Sequence, residues 1–104
     1  MENSESKFIG YVGDPDFHDG CVLSVHPVED SVGVKVKGAS GRHWSVEFRG
    51  VKSVKSKSPE GMLLYALSEL EAPAPLRRFV FANWDEEGEA SLEIVASEIA
   101  VTPD

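Results

Sequence analysis

Residues 32–48 read Val-Gly-Val-Lys-Val-Lys-Gly-Ala-Ser-Gly-Arg-His-Trp-Ser-Val-Glu-Phe, and this stretch decides the fold. Valine alternates with glycine or lysine in its first half, and large apolar side chains alternate with polar ones in its second half. A period of two is typical of a β-strand that buries one face, and the central Gly-Ala-Ser-Gly is rich in turn residues. The stretch therefore predicts two antiparallel strands joined by a short turn.

Strand patterns also flank this hairpin on both sides. Cys21–His26 alternates, Lys7–Val12 is a short apolar stretch, and Arg78–Ala82 with Ser91–Val95 predicts a final hairpin. We predict a mainly β protein, an antiparallel meander of about six to seven strands that forms a curved sheet or open barrel, with at most one short helix. The predicted interior consists of Val34, Val36, Trp44, Val46, Phe48, Phe79, Phe81 and Ile94.

Met62–Leu70 has an ambiguous pattern. Its leucine, methionine, alanine and glutamate composition favours a helix, and Ser58-Pro59 supplies a cap followed by a first-turn proline. Leu63, Tyr65 and Leu67 also alternate as the residues of a strand do. The residues alone leave both alternatives open.

Length and composition indicate one small domain. The chain has 104 residues and a formal net charge of −8, and no apolar run approaches the roughly 18 residues that a membrane span needs. Met1–Ser6 is polar and lacks the basic and apolar regions of a secretion signal. Cys21 is the single cysteine, which excludes an internal disulfide and fits a reducing compartment. We predict a disordered segment over residues 1–6, one β-domain over residues 7–104, a cytoplasmic location and no membrane association.

The densest group of candidate metal ligands lies between the first two predicted strands. It comprises Asp14, Asp16, His18 and Asp19. Hard cations prefer several oxygen ligands on one loop, but the spacing departs from a calcium loop, and one histidine is a small ligand set for zinc. The alternative is that the aspartates make turns with the backbone. A small-molecule or metal-binding protein that uses this loop, with His26 or His43 converging on it, is the alternative function.

No catalytic motif is recognisable in the sequence. The chain lacks a nucleophile elbow, a phosphate loop, a dinucleotide fingerprint and a zinc spacing. Cys21 lies near His18 in sequence, but a free cysteine that enters a strand is usually a small buried apolar residue. We therefore predict that the protein is not an enzyme and carries no cofactor.

The charges are segregated along the chain. Residues 35–57 carry a local charge of +6, and the remaining residues carry −14. Five lysines predict a basic stripe for an acidic partner, or a sheet edge that is kept from pairing with another copy. The acidic remainder repels nucleic acid, so we do not expect nucleic acid as a partner. The stripe consists of Lys35, Lys37, Lys52, Lys55 and Lys57.

The segment that begins at Trp84 combines a tryptophan with several acidic residues, and this composition predicts a partner-binding surface. Such surfaces attract basic partners, and an exposed tryptophan anchors them. Glu69 and Glu71 in the preceding segment extend the predicted acidic surface. We expect a non-catalytic domain that binds another protein, and the pattern leaves open whether an uncovered edge also pairs two copies. The predicted partner-binding residues are Trp84, Asp85, Glu86 and Glu87.

Four short motifs carry a resemblance to a known group. They are Phe17-His18-Asp19, Val46-x-Phe48-x-Gly50-Val51, the apolar segment Leu63–Leu67 and Leu92-Glu93-Ile94. Together they resemble small bacterial all-β domains of uncharacterised function, some of which are similar to immunity proteins of polymorphic toxin systems. The resemblance covers residues 17–101, implies a strand at Leu63–Leu67 and an immunity-like or regulatory role, and carries over no catalytic residue.

Overall fold

A computed structural model of the chain describes residues 7–85 and 88–104. Within these residues the chain forms nine strands and one short 3-10 helix, η1. None of the described residues forms a helix long and apolar enough to cross a membrane. The elements in chain order are β1 Phe8–Tyr11, η1 Pro15–Phe17, β2 Cys21–Val28, β3 Ser31–Lys37, β4 His43–Arg49, β5 Ser53–Lys57, β6 Leu64–Leu70, β7 Arg77–Asn83, β8 Ser91–Ala96 and β9 Glu98–Pro103.

The strands form two antiparallel sheets. One has five strands in the order β1-β6-β7-β8-β5, and the other has four in the order β2-β3-β4-β9. The predicted mainly antiparallel β fold is confirmed, and both sheets are open. The described residues contain more strands than predicted, because the irregular Ser53–Lys57 pairs with β8 and Glu98–Pro103 pairs with β4. The strands β1 and β5 are the edges of the five-stranded sheet.

The hairpin of β3 and β4 supplies one half of the core. Val34 lies opposite Val46, and Val36 lies opposite Trp44, so the apolar side chains share one face of the sheet. The ring of Phe48 reaches the other sheet, where its centroid lies 5.1 Å from that of Phe79. All eight residues predicted for the interior are buried, which confirms the period-two interpretation.

The ambiguous segment is a strand. Leu64–Leu70 pairs with β1 and β7, and the helical alternative is wrong. The register shifts between Leu64 and Ala66, so Tyr65 is an extra residue in a β-bulge. The extra residue places the buried Leu64 and Leu67 three positions apart, and this spacing is also that of a helix. The bulge therefore explains why both patterns appear in the sequence.

One carboxylate lies inside the sandwich. Glu69 is 8% exposed and accepts two hydrogen bonds of 2.8 Å from the guanidinium of Arg77. The guanidinium also lies 5.1 Å above the ring centroid of Phe79. The hydrogen bonds from Arg77 lower the pKa of Glu69 against the opposing effect of burial. Glu69 is therefore part of the core packing, which corrects its predicted place in an acidic surface.

Candidate functional site

Five aromatic rings lie in a continuous row beside the edge strand β1. The centroids of Phe8 and Tyr11 are 5.1 Å apart, and those of Tyr11 and Tyr65 are 6.4 Å apart. The Tyr65 ring contacts both Trp84, at 5.3 Å, and His18, at 5.2 Å. His18 and Trp84 are 5.5 Å apart. We call these five residues the aromatic row.

The aromatic row is outside the core although it is large and mostly apolar. The exposed fractions are 55% for Phe8, 63% for Tyr11, 40% for Tyr65 and 44% for Trp84, and the His18 side chain is 51% exposed. The core contains four other phenylalanines, which are buried almost completely. Because contiguous exposed apolar surface is uncommon on a protein that acts alone, the row is a candidate interaction site.

The bulge in β6 directs Tyr65 to the surface. Because Tyr65 has no partner across β7, its carbonyl oxygen is available, and it lies 2.8 Å from Nδ1 of His18. A carbonyl oxygen only accepts hydrogen bonds, so Nδ1 of His18 carries the proton. This bond fixes the imidazole against the tyrosine ring.

Trp84 is held on the row by the loop that follows η1. Its indole Nε1 donates a hydrogen bond of 2.6 Å to Oδ1 of Asp19, and its backbone N–H donates to the carbonyl oxygen of Leu63 at 3.1 Å. Asp19 has a φ of 70°, a conformation that aspartate tolerates better than most residues. The structure thus joins Trp84 with His18 and Asp19, which the sequence placed in separate candidate sites.

The residues predicted as metal ligands point to different partners. Asp14 Oδ1 accepts a hydrogen bond of 2.9 Å from the Asp16 backbone and caps η1. Asp16 accepts from the backbone N–H and the hydroxyl of Ser40, at 2.9 and 2.8 Å, and from Trp44 Nε1 at 3.1 Å. Over residues 7–85 and 88–104, no three histidine, cysteine, aspartate or glutamate side chains are placed to hold a metal ion. The geometry therefore favours the turn interpretation of this loop over the metal site.

Asp16 joins the η1 loop to the β3–β4 turn. Its two hydrogen bonds with Ser40, followed by that from Trp44, lower the pKa of the Asp16 carboxyl. The carboxylate also occupies the space above Gly38, where an added Cβ would lie 1.8 Å from Asp16 Oδ2. The position thus requires a residue without a side chain.

We expect Gly38→Ala to lower the free energy of unfolding by about 1–3 kcal/mol, because the methyl group displaces the Asp16 carboxylate from Ser40 and Trp44. Urea unfolding followed by tryptophan fluorescence measures the loss. Gly33→Ala is the matched control, since the nearest atom to its added Cβ is 3.9 Å away. Equal stability of the two variants would contradict the role given to Asp16.

A cleft opens beside the aromatic row. It has a volume of about 350 Å³, with the rings of Tyr11 and Tyr65 on its sides and the buried Phe17 among its lining residues. Asp14 and His18 also line it. A side-chain hydrogen bond with Tyr65 raises the pKa of Tyr11. The lining of the cleft is thus mostly apolar, with one carboxylate.

The predicted basic stripe is divided between the two sheets. Lys35 and Lys37 lie on β3 of the four-stranded sheet, whereas Lys55 and Lys57 lie on β5 of the five-stranded sheet, and Lys52 precedes β5. Lys35 Nζ donates to Asp104 Oδ2 at 3.1 Å. The lysines predicted as one stripe therefore lie on strands of two different sheets. Those on β5 occupy a sheet edge, as the alternative interpretation proposed.

The predicted partner-binding segment lies partly at the aromatic row. Trp84 belongs to it, and Asp85 is exposed directly after it. Glu86 and Glu87 lie outside the described residues. Sequence reasoning missed Phe8, Tyr11 and Tyr65 as surface residues. The available signal was the stretch Lys7–Val12, which carries more apolar side chains than one buried face of an edge strand can use.

No protein-family model, curated protein or solved structure matches this chain. The fold and the site therefore define the class of protein by themselves. It is an antiparallel β protein of two packed sheets that presents a row of aromatic side chains beside one sheet edge.

Proposed function

We propose that this chain is a non-catalytic protein-interaction domain that binds its partner through the aromatic row. The observation that carries the proposal is the contiguity of five exposed rings on a domain whose core is already filled by other residues. Tyrosine and tryptophan dominate the energetics of protein interfaces because they bury large areas at a small entropic cost. The row has the composition of such an interface.

The charge around the row favours a basic partner. Asp14 and Asp19 lie beside the rings, and the exposed Asp85 follows Trp84 in the chain. The whole chain carries a net charge of −8. Charge complementarity accelerates encounter and disfavours incorrect partners. An immunity-like or regulatory role, in which the domain covers a basic functional surface of another protein in the cytoplasm, is the specific form of the proposal.

Capture of partners on the immobilised protein tests the proposal, provided that a captured protein is identified, purified and titrated. We expect Tyr65→Ala and Trp84→Ala each to weaken its binding about 30-fold or more, the effect of losing an interface anchor worth about 2 kcal/mol. Circular dichroism confirms that each variant is folded.

Val28→Ala is the control variant. Val28 is 64% exposed on β2 of the other sheet, and we expect its replacement to change the affinity less than about threefold. Equal binding of the Tyr65→Ala and Val28→Ala variants would contradict the proposal. Self-association of the chain through the aromatic row, measured by analytical ultracentrifugation, would also contradict it, because the partner would then be a second copy.

A further inference from the structure

The cleft beside the aromatic row has the size of a site for one side chain. Its volume of about 350 Å³ lies near the lower limit of the roughly 300–1,000 Å³ that small-molecule pockets span. The rings of Tyr11 and Tyr65 meet at 67°, so they present different faces to an occupant. The cleft is therefore open to a partner side chain that packs against the exposed parts of both rings.

Two arginines of this chain show how a guanidinium group packs where an aromatic ring lies near a carboxylate. Arg77 lies over the ring of Phe79 while its guanidinium donates to the carboxylate of Glu69. Arg42 lies 5.4 Å from the ring centroid of Trp44, whose indole donates to a carboxylate. Arg77 therefore combines cation–π attraction with an ion pair, and Arg42 combines cation–π attraction with a coulombic attraction to Asp16.

The cleft also combines aromatic rings with a carboxylate, but no lysine or arginine of the described residues lines it. Tyr11 and Tyr65 supply the rings, and Asp14 supplies the carboxylate. Asp14 uses Oδ1 to cap η1, and the described residues show no ion pair of its carboxylate. Residues 1–6 contain no lysine or arginine either, so this segment has no guanidinium to offer.

We propose that the cleft between Tyr11, Tyr65 and Asp14 receives an arginine side chain of the partner protein. The inference rests on the proposed function and names the chemistry of the group that the partner presents. Arginine fits better than lysine, because its planar guanidinium stacks on rings and loses its hydration more easily than an ammonium group.

The test is a titration of the ¹⁵N-labelled protein with capped tripeptides, followed by amide chemical shifts at low ionic strength. The probes are Gly-Arg-Gly, Gly-Lys-Gly and Gly-citrulline-Gly, of which the last keeps the shape of arginine without its charge. We expect shifts at the cleft residues, and an affinity for the arginine peptide about fivefold or more above that for the citrulline peptide. Equal binding of the lysine peptide overturns the choice of arginine.

Asp14→Asn provides the matched variant. Asparagine caps helical turns as well as aspartate does, so η1 stays in place while the charge is lost, and we expect the arginine peptide to bind about threefold or more weakly. Asp30→Asn makes the same charge change in the β2–β3 turn of the other sheet, and we expect no loss. Equal affinities of the two variants overturn the proposal.

These outcomes separate the inference from the proposed function. Absence of shifts at the cleft with about 50 mM arginine peptide, a concentration that occupies even a contact of about 2 kcal/mol, overturns the arginine site. The effects of Tyr65→Ala and Trp84→Ala on an identified partner are measured independently. If those effects remain, the aromatic row binds a partner that inserts no arginine.

Discussion

Phe48→Ala is expected to lower the free energy of unfolding by about 3–5 kcal/mol. Phe48 is completely buried, and its ring centroid lies 5.1 Å from that of Phe79 and 6.0 Å from that of Phe81. These contacts join the two sheets, and the cavity left by alanine lies between rings that cannot collapse without moving a strand. A domain of this size has a total stability of about 5–15 kcal/mol, so the variant retains little of it.

Urea unfolding, followed by far-ultraviolet circular dichroism, measures this loss. Phe8→Ala is the control, because it removes the same atoms from a side chain that is 55% exposed. We expect the control to change the stability by less than about 0.5 kcal/mol. Comparable losses in the two variants would show that the sheets do not pack through Phe48.

The second large effect concerns the buried ion pair. We expect Glu69→Leu to lower the free energy of unfolding by about 1–3 kcal/mol, because Arg77 then has no partner inside the sandwich. The loss stays below that of a fully buried pair, since the Arg77 side chain is 39% exposed and keeps part of its hydration. Replacing both residues, as Glu69→Leu with Arg77→Leu, is expected to restore most of the stability.

The same pair predicts a dependence of stability on pH. The pKa of Glu69 is lower in the folded protein than in the unfolded chain. Its contribution is therefore present above the unfolded pKa and is lost as the pH falls through the folded pKa, which lies below the ordinary glutamate value. Urea midpoints at pH 7 and pH 3 should differ less in the double variant than in the wild-type protein. An unchanged difference would exclude Glu69 as a cause of the acid sensitivity.

The sequence was sufficient to predict those strands whose two faces differ. The residues of β3 and β4 alternate without interruption, and their face toward the core follows from that period. The strand β5 lacked this signal, because all five of its side chains are exposed. Met62–Leu70 was ambiguous because one extra residue changes the spacing of its buried leucines.

The candidate site was less predictable than the fold. Trp84 was recognisable as a tryptophan at the end of a strand, but its neighbours Tyr65 and His18 are distant in the sequence. The row exists because β1 pairs with β6, and no local pattern encodes which strand an edge strand joins. The choice between a metal site and a turn at Asp14–Asp19 was also hard to make from the sequence, since the partners of Asp16 lie in another turn.

The bulge in β6 allows one strand both to pack its leucines into the core and to place a tyrosine ring on the surface. Without Tyr65, the neighbours Leu64, Ala66 and Leu67 would still alternate between the interior and the solvent. The strand β6 thus contains one residue, Tyr65, that has no paired residue on β7. Because the side chain at this additional position does not pack in the core, replacing it leaves the buried leucines on either side in place.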